Sequence, residues 1–169
     1  MADAIVMGVS GCGKTSVGEA VAIAAGAEFI EGDALHPAAN VEKMSAGIPL
    51  TDGDRWPWLD IVGASVASHS PAVASCSALK RAYRDRLRSA VGRQLLFVFL
   101  RVDRNELESR MIARRNHFMP ASLLDSQLAT LEDPAGEPGV LTVDGARPTG
   151  SIVTEVIAWF AEQETEALK

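Results

Sequence analysis

An α/β fold, with a parallel sheet covered by helices on both faces, is what this sequence predicts, and three observations carry the prediction. Five short apolar runs rich in β-branched or aromatic residues recur, at 4–7, 28–30, 72–74, 95–100 and 140–143, each followed by polar or helical sequence. Helical patterns fall between and after them, clearest at 14–25, 78–90, 104–115, 121–131 and 151–164, the last with Ile152, Val156, Trp159 and Phe160 on one face. Between the first strand and the first helix stands Gly8-Val9-Ser10-Gly11-Cys12-Gly13-Lys14-Thr15, which fits G-x-x-x-x-G-K-[ST]. Strands alternating with helices imply right-handed crossovers, and ligands then bind beyond the carboxyl ends of the strands.

The glycine-rich loop has a physical reason at each position. Its glycines leave no side chain between the backbone amides and a phosphate, and the following helix points its positive end at the same spot. Lys14 adds a full charge that can follow a transferring phosphoryl group, and Thr15 offers a hydroxyl to magnesium. The chain is therefore expected to handle a nucleoside triphosphate with Mg2+, with the cradle formed by Gly8, Val9, Ser10, Gly11, Cys12, Gly13, Lys14 and Thr15.

Length and composition narrow the rest. A chain of 169 residues is one domain by the usual prior, and 47% hydrophobic residues with a mean hydropathy of +0.10 suits a soluble enzyme. The net charge of −6 argues against nucleic-acid or anionic-membrane binding, both of which need a basic face. Two cysteines are too few for a disulfide framework, and Cys12 inside the phosphate loop implies a reducing compartment, by default the cytoplasm. The first residues lack a basic start, and no stretch approaches the roughly 18 apolar residues of a membrane span.

The acceptor side is encoded in the segments just beyond the strands. Glu31 and Asp33 stand at alternate positions past the second strand, one suited to the metal and the other to an acceptor hydroxyl, whose proton Asp33 would take or orient; a helix cap is the plainer alternative. The segment of about forty residues before the third strand is too long for a simple crossover, and its two helical patterns suggest recognition. Within it, Arg55 lies between Asp54 and Trp56-Pro57-Trp58, a setting for ligand packing or for core filling with an Asp54–Arg55 ion pair. After the third strand, Lys80 and Arg84 are expected on one helical face able to bind a carboxylate, while Arg81 and Asp85 form a surface pair. Arg110 and Arg114 lie one turn apart in an arginine-rich stretch expected to act as a lid, at about 110–131. Gly145-Ala146-Arg147-Pro148 is the candidate adenine loop.

At these residues the chain resembles the small P-loop gluconate kinases, relatives of shikimate and adenylate kinases. The likeness runs nearly end to end. It rests on the phosphate loop, Gly32-Asp33 with Leu35-His36-Pro37, Asn40 with Glu42-Lys43-Met44, Gly47 with Pro49-Leu50, Asp52 with Asp54-Arg55 and Pro57-Trp58-Leu59, Cys76-Ser77-Ala78-Leu79-Lys80 with Tyr83-Arg84-Asp85, and His117-Phe118. The resemblance implies a nucleoside-kinase-like three-layer fold with a five-stranded parallel sheet and a helical lid, and phosphorylation of D-gluconate by ATP to 6-phospho-D-gluconate. Carried over by position, it implies Lys14, Asp33 and Arg114 in catalysis, with Arg110 or Arg114 reaching the nucleotide phosphates. It further implies Asp33, His36, Lys43, Arg55, Lys80, Arg84, His117 and Gln127 at the sugar acid, and Thr15 with Glu31 at the metal. It also admits a homodimer.

Two positions depart from the pattern: Glu31 where relatives commonly have Asp, and Cys12 where the loop more often has Ser. The loop amides and Lys14 are expected to lower the Cys12 pKa and make the enzyme sensitive to thiol oxidation. The rivals are a shikimate or nucleoside monophosphate kinase, and an ATP-binding sugar-acid sensor without turnover. A GTPase-like switch would need a guanine-reading Asn/Thr-Lys-x-Asp, which the sequence lacks.

Overall fold

The computed structural model describes residues 1–114 and 122–168. The chain runs β1 (Asp3–Met7), α1 (Lys14–Ala25), β2 (Glu28–Glu31), a 3-10 turn (Gly32–Leu35), α2 (Ala38–Ser45), α3 (Asp52–Ser68), β3 (Ala72–Ser75) and α4 (Arg81–Val91). It continues with β4 (Leu95–Arg101), α5 (Arg104–Ala113), α6 (Ser122–Thr130), β5 (Val140–Asp144) and α7 (Thr149–Ala167). All five strands pair in parallel, in the order β2-β3-β1-β4-β5.

That order determines where ligands go. From β1 the chain first moves to one edge through α1, and later, from β3, crosses to the other side of β1 through α4. Right-handed crossovers in opposite directions put α1 on one face of the sheet and α3 with α4 on the other, and α7 returns against α1. The strand order reverses at β1, so the crevice opens at its carboxyl end, where the phosphate loop begins. β1 is buried along its whole length, and β4 is buried from Leu95 to Leu100, as near-continuous apolar strands covered on both faces should be.

The expected elements are found, with one boundary that matters. Residues 78–80 do not begin a helix: Ala78 has φ 45° and Lys80 is the extended N-cap of α4. Lys80 and Arg84 therefore do not share a helical face. The long insertion resolves into α2 and α3, and α3 opens with a capping box between Thr51 and Asp54. Among the described residues no helix is long and apolar enough to cross a membrane.

Candidate active site

The phosphate loop lies between β1 and α1 with the geometry an anion requires. Gly13, the N-cap of α1, is left-handed (φ 98°, ψ 20°), a conformation that costs a side-chain-bearing residue and that turns the first amides of the helix toward the loop. Lys14 Nζ donates to the Val9 carbonyl at 3.0 Å and so lies across the loop. Helices α5 and α6 brace the same loop. The Ser10 amide donates to Gln127 Oε1 on α6 at 2.7 Å, while Arg110 on α5 donates to the carbonyls of Gly11 (3.3 Å), Cys12 (3.2 Å) and Gly145 (3.0 Å). Arg110 thus ties the loop to residue 145, where an added Cβ would lie 3.4 Å from the Cys12 carbonyl.

The thiol in the loop behaves opposite to expectation. Cys12 is buried, with Sγ packed so tightly on Gly8 that a Cβ there would lie 2.7 Å from it. Burial raises its pKa above the ordinary thiol value, outweighing the lowering by Lys14, the backbone and Arg110. Proximity to the phosphate cradle does not activate this thiol, because its burial outweighs the help it receives from backbone amides of the loop and from the two cations.

At the carboxyl end of β2, Thr15 Oγ1 donates to Glu31 Oε2 and Ser75 Oγ donates to Glu31 Oε1, both at 2.5 Å. Among the described residues no three His, Cys, Asp or Glu side chains cluster as a metal site. A hydroxyl beside one carboxylate suits Mg2+, which keeps several waters and takes its remaining ligands from phosphates. The next residue could only be glycine, since a Cβ on Gly32 would lie 1.9 Å from the Ser75 carbonyl oxygen. Gly32 is further held by Ser75 Oγ, which accepts from its amide (3.1 Å), and by Trp58 Nε1, which donates to its carbonyl (2.8 Å). This bolted turn delivers Asp33 to the cleft.

A cleft reaches from the loop to the insertion, lined by Lys14, Asp33, His36, Arg55, Trp58 and Gln127 among others. His36 stacks on Trp58 with ring centroids 4.0 Å apart and 15° between planes, and its Nε2 lies 4.0 Å from Asp33 Oδ1. Burial lowers the His36 pKa to about 4; Asp33 opposes this shift and Arg55 reinforces it, so the ring is neutral near pH 7. Arg55 is buried and donates from Nη1 to Tyr83 Oη at 3.0 Å. That is the one hydrogen bond its guanidinium makes among the described residues, which leaves its other side-chain N–H donors to a ligand.

The other cations expected at the sugar acid do not line this cleft. Lys43 donates to both oxygens of Asp54 (3.0 and 2.8 Å) and with the Thr51 cap pulls the Asp54 pKa down to about 2, so the proposed Asp54–Arg55 pair does not form. Lys80 pairs with Asp52 at 3.0 Å. Arg84 is fully buried, with both oxygens of Glu137 and the carbonyls of Ala78, Leu79 and Glu132 as acceptors. Its guanidinium fastens the 78–79 corner to the 132–137 loop and has no donor left for a ligand. Arg114 is exposed at the end of α5. His117 lies outside the described residues. Of the two tryptophans, Trp58 reaches the cleft while Trp56 meets Tyr83 edge-on at 5.4 Å. Sequence reasoning missed Ser75, which orients Glu31, and Tyr83, which orients Arg55; neither carries a local signal, since each acts across more than 25 residues.

Comparison with known proteins agrees with this geometry. Residues 4–134 match the family model described as an AAA domain. The gluconokinase of Gluconobacter oxydans (strain 621H) is 49% identical over 95% of this chain and 92% of its own. The crystal structure of a gluconokinase from Sinorhizobium meliloti 1021 superposes with a TM-score of 0.91 at 55% identity, covering 99% of this chain and 95% of the other. A shikimate kinase from Acinetobacter baumannii shares the fold at a TM-score of 0.66, 16% identity and 96% and 94% coverage. Identity near one half over almost the whole of both chains, with a TM-score of 0.91, shows that this chain belongs to the gluconokinase family of P-loop kinases.

Proposed function

We propose that this protein transfers the terminal phosphoryl group of ATP to D-gluconate, giving ADP and 6-phospho-D-gluconate. The observation that carries the reading is the cleft in which Lys14, Asp33 and Arg55 converge between the phosphate loop and the His36–Trp58 stack. The loop amides and Lys14 hold the triphosphate at one end. Asp33 orients the acceptor hydroxyl and receives its proton as the new oxygen–phosphorus bond forms and the bond from phosphorus to the ADP oxygen breaks.

Arg55 is the group best placed for the carboxylate, since a buried guanidinium with donors to spare gives a short, charge-assisted contact. Gln127 joins the two ends, because the side chain whose oxygen accepts from the Ser10 amide also lines the acceptor cleft. A magnesium ion held by Thr15, with Glu31 behind it, would neutralise phosphate charge when bound. The lid expected at about 110–131 includes residues 115–121, which lie outside the described residues; at its start Arg110 braces the loop. The reducing cytoplasm is the setting this chemistry fits.

A coupled ADP-release assay over gluconate, shikimate, CMP and GMP tests the reading. Gluconate alone should support fast turnover, and Asp33→Asn should lose about a hundredfold or more of kcat while still binding ATP. Comparable turnover on CMP or shikimate, or a fully active Asp33→Asn, would overturn it; ATP binding without any turnover would favour a sensor.

A further inference from the structure

An alcohol has one hydrogen and two lone pairs, so an attacking hydroxyl can donate to one acceptor only. Asp33 and His36 both face the place such a hydroxyl would occupy, and whether they compete for its proton depends on which ring nitrogen of His36 is protonated. The surroundings settle this. The Asn40 side-chain nitrogen lies 3.0 Å from the Asp54 main-chain carbonyl oxygen and 3.3 Å from His36 Nδ1. A carbonyl can only accept, so the Asn40 group facing both is its NH2, and His36 Nδ1 is the bare, accepting nitrogen. The ring proton then sits on Nε2.

Little in this arrangement can move. Asn40 is 4% exposed, the His36 side chain 4%, and the ring is clamped on Trp58. Asp54 is fixed in turn by the Thr51 capping box and by Lys43. On the open side, Nε2 and Asp33 Oδ1 are 4.0 Å apart, too far for a direct hydrogen bond but a span that one oxygen bridges at about 2.8 Å from each.

We propose that Asn40 is a positioning residue that holds His36 as the Nε2–H form, so that the attacking hydroxyl accepts a hydrogen bond from His36 and has Asp33 as its single proton acceptor. In the opposite tautomer two acceptors would share one hydrogen, and the hydroxyl would turn away from Asp33 in part of its encounters. The Lys43–Asp54 pair thereby gains a role: it anchors the carbonyl that orients Asn40. The proposal rests on the kinase reading for the identity of the hydroxyl, but the tautomer itself does not.

Long-range proton–nitrogen NMR of the 15N-labelled protein near pH 7.5 tests it directly. The chain has three histidines, and His36→Gln assigns the relevant signals. Wild type should show a bare Nδ1 and a protonated Nε2 for His36. Asn40→Asp puts an acceptor against Nδ1, which should become protonated, with kcat on gluconate falling about tenfold or more and the KM for ATP unchanged within about twofold. A bare Nε2 with a protonated Nδ1 in wild type overturns the proposal without recourse to any variant, as does an Asn40→Asp protein whose neutral His36 carries its one proton on Nδ1 yet keeps wild-type kcat. Should gluconate prove not to be the substrate, the wild-type spectrum still decides the tautomer, so the two failures are distinguishable.

Discussion

The two ends of the cleft are built from different materials. At the phosphate end the groups that would hold an anion are main-chain amides and a helix terminus, with Lys14 as the one cation in the loop and Gln127 and Arg110 gripping the loop from α6 and α5. At the acceptor end they are side chains drawn from the 3-10 turn, α2, α3 and α6, of which His36 is located by Asn40 and Trp58 and Arg55 by Tyr83. Backbone partial charge needs no counter-ion and is set by local conformation. Side-chain charge arrives with carboxylates beside it, and the arrangement decides which cations remain available. Of Lys43, Arg55, Lys80 and Arg84, three are matched to Asp54, Asp52 and Glu137, and Arg55 alone lines the cleft without a carboxylate partner among the described residues.

The sharpest way to break this comparison is to exchange the roles of two arginines. Arg84→Met should remove about 3–5 kcal/mol of stability in denaturant unfolding, because a largely buried Glu137, whose pKa is held low chiefly by Arg84, keeps only Arg88 at 3.6 Å as an ion-pair partner, and the carbonyls of Ala78 and Glu132 lose their donor. What folded protein remains should show a wild-type KM for gluconate. Arg55→Lys should do the reverse, raising that KM roughly 10- to 100-fold, since one ammonium cannot serve both Tyr83 and a carboxylate in the fork geometry, with only a small change in unfolding midpoint. A raised KM in Arg84→Met with normal stability would place Arg84 in the site after all.

How much could be read from the chain divides along the same line. The phosphate site was legible because it is written in consecutive residues: a strand, a glycine turn and a helix leave little freedom, and Lys14 and Thr15 sit where the motif puts them. The five parallel strands were legible for a similar local reason, each being a short apolar run; the central β3, β1 and β4 are buried on both faces, while β2 and β5 at the edges are only partly covered. Asp33 was legible as a carboxylate beyond a strand end. The cations were not, because whether Arg84 faces a ligand or Glu137 depends on a partner 53 residues away and on Ala78 adopting φ 45°, which shifts the helix start past Lys80. The family resemblance named Asp33, His36, Arg55 and Gln127, which line one cleft, together with Lys43, Lys80 and Arg84, which brace carboxylates outside it, and it carries no signal that separates the two groups.

A smaller effect sharpens the acceptor end. In the folded protein His36 titrates near 4 against an ordinary value of 6.5, so between these pH values the unfolded chain binds a proton that the folded one refuses. Stability should therefore be whole above pH 6.5 and decline as pH falls toward 4, with the His36 share on the order of 2 kcal/mol. Unfolding curves of wild type and His36→Gln at pH 7.5 and 4.5 check this: the wild type should lose more between the two pH values than the variant does. Equal losses would mean that the ring is not shielded as its stacking on Trp58 implies.

At the phosphate end the expected effect is smallest. Thiolate, not thiol, is the reacting species in alkylation, and Cys12 is closed off twice, by its 1% exposure and by a pKa that burial raises despite Lys14 and Arg110. Cys76 is equally buried, and its pKa is pushed up to about 12. Alkylating reagent at pH 7.5 should leave both cysteines unmodified by mass spectrometry over a period in which the denatured chain reacts fully, and turnover should be unchanged. Rapid labelling of Cys12 with loss of activity would show that the loop opens far enough to turn Sγ outward. The positive field of the cradle would then reach inward as well as toward the ligand, and the contrast between a rigid backbone site and a braced side-chain site would have to be redrawn.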